Sequence, residues 1–202
     1  MKKDTFVMSA RQASELDYAL ERNGWTPADV KALSQGDMLA RILPVLLGRS
    51  EIKPREHIID CDVPVFVPDG WEVLPPAEQI PSRAVGKIVW DPTAARLHLS
   101  LNQKGSNHIK GNNLRLELAE GKHQVYTAHV LDYLLKPENQ YLIPEEWKGK
   151  SVFFWGTIYR RSERDFYVRY LYWGGDRWGW YSHDYWLGSV FAGSNPAVVR
   201  AS

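Results

Sequence analysis

The chain has 202 residues, 44% of them apolar, which is enough to bury a core, and its single cysteine excludes an internal disulfide and suits a reducing compartment. Its net charge of +1 gives no support for a polyanionic partner, so we expect no nucleic acid among its ligands. No stretch approaches about 18 uninterrupted apolar residues, and the start carries no recognisable secretion signal. We therefore expect no membrane span and a cytoplasmic location by default, with surface display or export by another route left open.

Residues 9–48 predict three short helices. Gly24 provides the left-handed position that ends the first, Thr26 caps the second and Asp37 caps the third. We interpret residues 1–50 as a small N-terminal helical segment that packs as a cap. Three such helices could also form a helix-turn-helix, but Lys and Arg are not concentrated on any one of them, which disfavours DNA binding.

The next stretch, residues 50–84, contains six prolines, which forbid long helices. His57, Asp60, Cys61 and Asp62 resemble a metal cluster only superficially, because zinc and iron sites need more ligands at firmer spacing. We expect no metal and no other cofactor.

Alternating and helical patterns follow. Residues 85–101 predict one strand or a hairpin, with His98 as a surface strand residue. Two helices are expected after Asn112 and Thr127, which are plausible N-caps. The adjacent carboxylates of Glu145 and Glu146 would point apart on a helix, so they do not indicate acid–base catalysis.

From residue 151 the pattern changes to strands. Residues 152–160 are apolar on both alternating faces, which is typical of a central strand covered on both sides. Residues 166–173 predict its neighbour, Arg177–Trp180 a short strand, and residues 197–200 a closing strand. The fold class is α+β, with helices packed on antiparallel strands that carry long loops.

The tail of the chain has an unusual composition. Lys, Glu, Gln and Met total 32 residues, and none occurs among the 39 residues from Arg164 to Ser202. The segment 169–196 is instead rich in Tyr, Trp, Ser, Gly and Asp, the residue types that binding surfaces favour. An ordinary solvated surface carries Lys and Glu, so this composition indicates a different role.

The segments PEEWKGKSVFFWGTIYRR, VRYLYWGGDRWGW and NPAVVRAS carry a family resemblance. The N-terminal block ELDYALERNGWTPADVKALSQGD resembles that of a set of uncharacterised small proteins. The chain resembles the variable proteins of diversity-generating retroelements, in particular the archaeal and uncultivated-microbe members. The resemblance implies a C-type-lectin-like domain over residues 51–202, with a variable region at about 169–196.

In such elements a reverse transcriptase copies a template with errors at adenines, so that codons of the AAC or AAT type diversify. Codons ending in C or T encode Tyr, Ser, Gly, Asp, His, Asn, Ala or Val, but never Lys, Glu, Gln, Met or Trp. The Trp codon contains no adenine, so Trp residues would be preserved. The composition of the tail is what this mechanism would leave.

The resemblance thus divides the tail into a scaffold and a ligand-binding, variable set. The expected scaffold residues are Trp173, Trp178, Trp180, Trp186 and Phe191, together with Leu187 and Pro196. The expected variable residues are Tyr170, Tyr172, Gly174, Asp176, Gly179, Tyr181, Ser182, His183, Tyr185, Gly188, Ser189, Val190, Ala192, Gly193 and Ser194, with Asp184 and Asn195 marginal. Buried Trp side chains would hold a rigid frame, and the residues between them would form one exposed patch.

The chain departs from classical lectins, which hold sugar through calcium at a Glu-Pro-Asn type loop. Calcium requires six or more oxygen ligands, and the tail has few carboxylates, so we expect a calcium-independent site. The expected partner is a macromolecule, a protein or a cell-surface glycan, bound by a monomer. The trimeric assembly of the phage members is not carried over.

Three alternatives remain open. A carbohydrate-binding module with a fixed aromatic platform would expose Trp178 and Trp180. An enzyme is disfavoured, because the sequence contains no nucleophile elbow, Walker loop or HExxH motif, and we expect no catalytic residues. A DNA-binding role for residues 9–48 is the weakest of the three.

Overall fold

The structure is a computed structural model that describes residues 7–53, 55–162, 165–175 and 179–201, with Trp180 described in its backbone alone. The chain divides into two compact units, Met1–Arg55 and Glu56–Ser202. In the described part, no helix has the length and apolar character needed to cross a membrane.

The first unit contains three helices, α1 (Ala10–Arg22), α2 (Pro27–Leu33) and α3 (Met38–Leu46). Reciprocal hydrogen bonds between Ser9 and Gln12 form a capping box at α1, and Thr26 and Asp29 form another at α2. Asp37 is the N-cap of α3 but its side chain makes no capping bond. None of the three helices contains a buried residue.

The second unit begins with short strands, β1 (His57–Asp60), β2 (Glu72–Val73), β3 (Lys87–Trp90) and β4 (Ala95–His98). The expectation of one hairpin at 85–101 is wrong, because β3 pairs with β1 whereas β4 pairs with β11 (Ala197–Arg200). The turn at Asp91 therefore carries the chain from one sheet to another.

Two helices and two further short strands come next: β5 (Ile109–Lys110), α4 (Gly111–Glu120), β6 (Gln124–Val125) and α5 (Ala128–Leu134). Thr127 is the N-cap of α5, yet its hydroxyl bonds the Cys61 and His129 side chains instead of a helix amide. Residues 145–147 form a single 3-10 turn.

The remaining strands are β7 (Val152–Ser162), β8 (Asp165–Gly174), β9 (Gly179–Trp186), β10 (Val190–Phe191) and β11. The main sheet has the order β4-β11-β7-β8-β9, with β2 paired to β7 and β6 to β11. The fold is thus α+β, and the closing strand β11 lies between β4 and β7.

Residues 152–159 of β7 are buried on both faces, which confirms the prediction of a central strand. Val152 and Phe154 join the apolar cluster that contains α5, while Phe153 and Trp155 join the cluster that contains α4. The sheet therefore separates two apolar layers, each covered by one helix.

Candidate functional site

Five ring-bearing side chains lie on one face of the β8–β9 hairpin. The strands pair antiparallel with Tyr170 opposite His183 and Tyr172 opposite Tyr181, and Tyr185 lies opposite Val168. Because side chains alternate between the faces of a strand, these residues share one face. We call Tyr170, Tyr172, Tyr181, His183 and Tyr185 the tyrosine face.

The rings of the tyrosine face form a continuous surface. The Tyr170 ring lies 5.7 Å from the Tyr172 ring, 6.1 Å from the His183 ring and 6.3 Å from the Tyr185 ring, measured between centroids. Tyr172 lies 5.9 Å from Tyr181. These are ordinary aromatic contact distances, so each ring limits the motion of its neighbours.

One end of the tyrosine face rests on the core. The Tyr170 ring packs 4.8 Å from that of Phe153, and the Tyr185 ring 5.0 Å from that of Phe191, with both phenylalanines buried. Partial burial, followed by the nearby Tyr172 hydroxyl and Asp184 carboxylate, raises the pKa of Tyr170. Its hydroxyl therefore remains a neutral hydrogen-bonding group, and rings on a rigid base lose little entropy on binding.

Ser182, expected in the variable site, lies on the opposite face of the hairpin from the tyrosine face. It pairs with the buried Leu171, and its hydroxyl accepts a hydrogen bond of 3.2 Å from Arg169. Arg169 also forms an ion pair of 2.7 Å with Asp132. The one-residue alternation of a strand thus separates Ser182 from His183.

Gly174 and Gly179 lie beside the Tyr181 ring, Gly174 buried and Gly179 partly exposed. A Cβ at Gly174 would lie 2.7 Å from the Tyr181 ring, and a Cβ at Gly179 would lie 3.3 Å from the Tyr181 hydroxyl. The two glycines leave the space that the Tyr181 side chain occupies. A side chain at Gly174 would therefore require a rearranged Tyr181.

The segment 188–194 continues the surface beyond Tyr185, whose hydroxyl donates to the Val190 carbonyl at 3.3 Å. Gly188 lies under the Trp186 ring, and the Ser189 carbonyl accepts from the Gly111 amide. Val190 and Ser194 are exposed.

The Gln103 side chain donates to the Ala192 and Asn195 carbonyls, and a Cβ at Gly193 would lie 3.1 Å from the Gln103 carbonyl oxygen. The backbone of this part of the segment is thus held from behind, with little room for a larger residue at Gly193.

The expected tryptophan frame is only partly present. Trp186 lies on the edge strand β9 and is 45% exposed, so it does not act as a buried support. Trp173 is half-buried against the core, with the Lys148 ammonium 4.1 Å from its ring centroid. Leu187, Phe191 and Pro196 are buried. Asp176, Trp178 and the Trp180 side chain lie outside the described residues.

The rigid support comes instead largely from residues before the tail. Trp147 and Trp155 are fully buried, as are Phe153 and Phe154. These side chains lie in or beside the central strand, and buried residues of β8 and β11, with Leu187 and Phe191, complete the scaffold.

Sequence reasoning missed a groove next to Val190. The groove has a volume of about 900 Å³ and includes Asn102, Asn107, His108 and Asn113. The segment NQKGSNHIKGNN is rich in Asn, and its polar composition is the available signal. Its side chains extend the surface with hydrogen-bonding groups.

The residues suspected of metal binding are otherwise engaged. The His57 ring bonds the Tyr133 hydroxyl at 2.9 Å, and burial raises the pKa of the Cys61 thiol. Among the described residues, no group of three or more His, Cys, Asp or Glu is placed to hold a metal ion. Cys61 is thus a protonated thiol at neutral pH, which disfavours nucleophilic chemistry there.

Comparison of the chain with protein-family models, with curated proteins and with solved structures found no match.

Proposed function

We propose that the protein is a non-enzymatic ligand-binding protein whose tyrosine face is diversified by retroelement-driven mutagenesis at adenines. The observation that carries the proposal is the gathering of Tyr170, Tyr172, Tyr181, His183 and Tyr185 on one face. Tyr provides large contact area on two rotatable bonds, which is why binding loops favour it. The partner would be a protein or a cell-surface glycan.

A diversified face must not contribute much to folding. Tyr172, Tyr181 and His183 lie farther along the hairpin than the ring stack on Phe153, and His183 is exposed. The core clusters draw instead on β7, β11 and the two helices. Tyr170 and Tyr185 pack against one of these clusters, so stability and recognition are supplied largely, but not entirely, by different residues.

The lectin-like fold is also part of the proposal. Two features support the C-type-lectin-like arrangement. The helices α4 and α5 lie in the chain between the early strand β4 and the later strands β7, β8 and β9, and the closing strand β11 pairs with β4. The site we propose is calcium-independent, since the tyrosine face contains no carboxylate.

The first test is of the mechanism. Sequencing of the surrounding genome should reveal a near-identical repeat of the DNA for residues 169–196 beside a reverse-transcriptase gene, differing mainly at adenines. Closely related copies should differ at tyrosine-face codons and agree at Phe153 and Trp155. Substitutions spread evenly over the gene would contradict the proposal.

The second test is of the site. A library that varies Tyr172, Tyr181, His183 and Tyr185 over codons ending in C or T should remain folded and yield binders to a purified test protein. Phe153→Ser is the matched control, because it removes the ring beneath Tyr170 and should cost about 3 kcal/mol of stability. If most library members unfolded, the face would be structural.

A carbohydrate-binding module is the second candidate, and the exposed Trp186 favours it. Trp186 lies opposite Tyr167 on the other face of the hairpin, and the Tyr167 ring lies 4.2 Å from that of Trp71. Exposed aromatic rings of this kind can stack on sugars. Titration with soluble glycans should change the tryptophan fluorescence of the native protein and not of Trp186→Ala if this function holds.

A further inference from the structure

Strand β9 is the last strand of the main sheet, and its outer edge can be read from its hydrogen bonds. The Leu187 amide donates to the Phe166 carbonyl at 2.8 Å, so this pair directs its backbone groups across the hairpin. In an antiparallel ladder such pairs alternate with pairs that point outward. The register therefore directs the backbone groups of Ser182 and Asp184 away from β8.

A hydrogen bond of the His183 side chain is consistent with an outward-pointing Asp184 amide. Its Nδ1 atom accepts from the Asp184 amide at 2.8 Å, which a ladder bond to β8 would prevent. Among the described residues, no strand pairs with this edge. The His183 ring thus accepts from the Asp184 amide, which is one of the outward-pointing donors.

Strand β9 has few of the features that usually protect a sheet edge. It contains no Lys and no Pro, and all eight of its residues pair in unbroken register with β8. Native edges are normally interrupted by charge, proline or a bulge. The edge of β9 has neither proline nor a bulge, and Asp184 is its one carboxylate, so it is suited to pairing with another strand.

We propose that a second copy of this chain pairs with β9, antiparallel and about a twofold axis at His183. In that register Ser182 lies opposite Asp184 of the second copy, so two outward-facing residues meet. They exchange both backbone bonds when the His183 ring releases the Asp184 amide. The Ser182 hydroxyl then faces a carboxylate, and Tyr181 lies opposite Tyr185 of the second copy. The net charge of +1 gives little repulsion between copies.

The dimer would enlarge the binding surface, a consequence that rests on the proposed function. Two strands about 4.8 Å apart and five residues at about 3.4 Å each offer a face of roughly 10 by 17 Å. A stable protein interface needs about 800 Å² from each partner. A twofold axis perpendicular to the sheet places both tyrosine faces on the same side and doubles the area. The dimer replaces the monomer expected from the sequence.

The test is sedimentation velocity of the full chain between about 1 and about 200 μM, a range that covers weak self-association. The native protein and Ser182→Ala should form dimers. Ser182→Pro removes an outward amide and no bond to β8, so its dimer dissociation constant should rise at least about 100-fold. Asp184→Lys should have a similar effect, because it places a Lys on the edge.

A native protein that stays monomeric throughout this range overturns the proposal, as does a dimer that neither substitution weakens. Circular dichroism checks that each variant folds. If Ser182→Pro does not fold, the dimer dissociation constant of Asp184→Lys decides the test. Amide exchange at Ser182 and Asp184 should slow with protein concentration. No ligand is present, so failure here leaves the proposed function untouched, and failure of the genomic test leaves the dimer untouched.

Discussion

The guanidinium of Arg169 stabilises the inner face of the hairpin. Arg169 is 5% exposed, forms the ion pair with Asp132, and lies 4.9 Å above the Phe66 ring. A cation removed from water needs such compensation, because an unpaired buried charge is costly. The position just before Tyr170 is therefore structural, although it lies inside the predicted variable region.

Asp132→Ala should lower the free energy of unfolding by about 3 kcal/mol, at the low end for buried pairs because Asp132 keeps 29% side-chain exposure. Urea unfolding measures the change. The control is Glu72→Ala at the more exposed Glu72–Arg160 pair, where a loss below about 1 kcal/mol is expected. Equal losses for the two variants would show that Arg169 does not depend on its partner.

Ionisation of the Tyr159 hydroxyl should lower the stability of the fold at alkaline pH. Burial, against the weaker opposing effect of Arg169, raises the pKa of Tyr159 to about 12, and its hydroxyl donates to the Phe66 carbonyl at 3.1 Å. The unfolded chain loses this proton near pH 10, and the folded chain retains it to higher pH. The contribution of Tyr159 is thus complete below about pH 10 and is lost as pH rises toward about 12.

Tyr159→Phe should be less stable than the native protein by about 1 kcal/mol at pH 8, because a hydrogen bond is lost. The difference should close above about pH 10 and reverse toward about pH 12, because only the native protein loses roughly 2 kcal/mol from this group. Tyr18→Phe, at an exposed position, is the control and should follow the native curve. A constant difference from pH 8 to pH 11 would contradict the assignment.

At the scale of elements, strand β7 depends on one close approach. The Gly156 amide donates to the Tyr126 carbonyl at 2.9 Å, and a Cβ at Gly156 would lie 2.8 Å from that same oxygen. Real Cβ atoms do not approach a backbone oxygen so closely, so the start of α5 would have to move.

Gly156→Ala should therefore lower the free energy of unfolding by about 2 kcal/mol, as expected for overpacking. Gly175→Ala is the matched control, because a Cβ there meets nothing within 4 Å, and it should change stability by less than about 0.5 kcal/mol. Thermal unfolding compares the two. A native-like Gly156→Ala would mean that β7 and α5 are not held at this distance.

Sequence patterns predicted most of the helices and strands, but they predicted the pairing between strands far less well. Apolar periodicity and capping residues located the helices and the central strand β7, because these signals are local. The pairing of β4 with β11 joins residues about 100 positions apart, and no local pattern encodes it. The sequence therefore suggested a hairpin that the fold does not contain.

The same limit applies to the candidate site. The sequence predicts only a short strand at Arg177–Trp180, whereas β9 spans Gly179–Trp186, where Tyr and His alternate with Ser, Asp and Trp without aliphatic residues. Composition alone identified the tyrosine face residues, but the face of each residue depends on the register with β8. The misplacement of Ser182 follows from that missing register.

At the scale of the whole molecule, the buried residues of the described part all lie in the second unit. Both apolar clusters begin at or after Ile59, and the described helices of the first unit bury no residue. Isolated helices shorter than about 12–15 residues are marginal in water, so capping boxes alone do not make α1 and α2 independently stable. The two units should therefore differ sharply in how cooperatively they unfold.

A protein that comprises residues 56–202 alone should therefore unfold cooperatively, with a midpoint within about 3 °C of the full chain, because it keeps every buried apolar residue of the described part. Residues 1–55 alone should show weak helicity that declines gradually on heating. Differential scanning calorimetry and far-UV circular dichroism of the two fragments measure both outcomes. If removal of the first unit lowered the midpoint by more than about 10 °C, the exposed apolar side chains of α1–α3 would have to be contributing to the stability of the second unit, and the confinement of the folding core to residues 56–202 would be wrong.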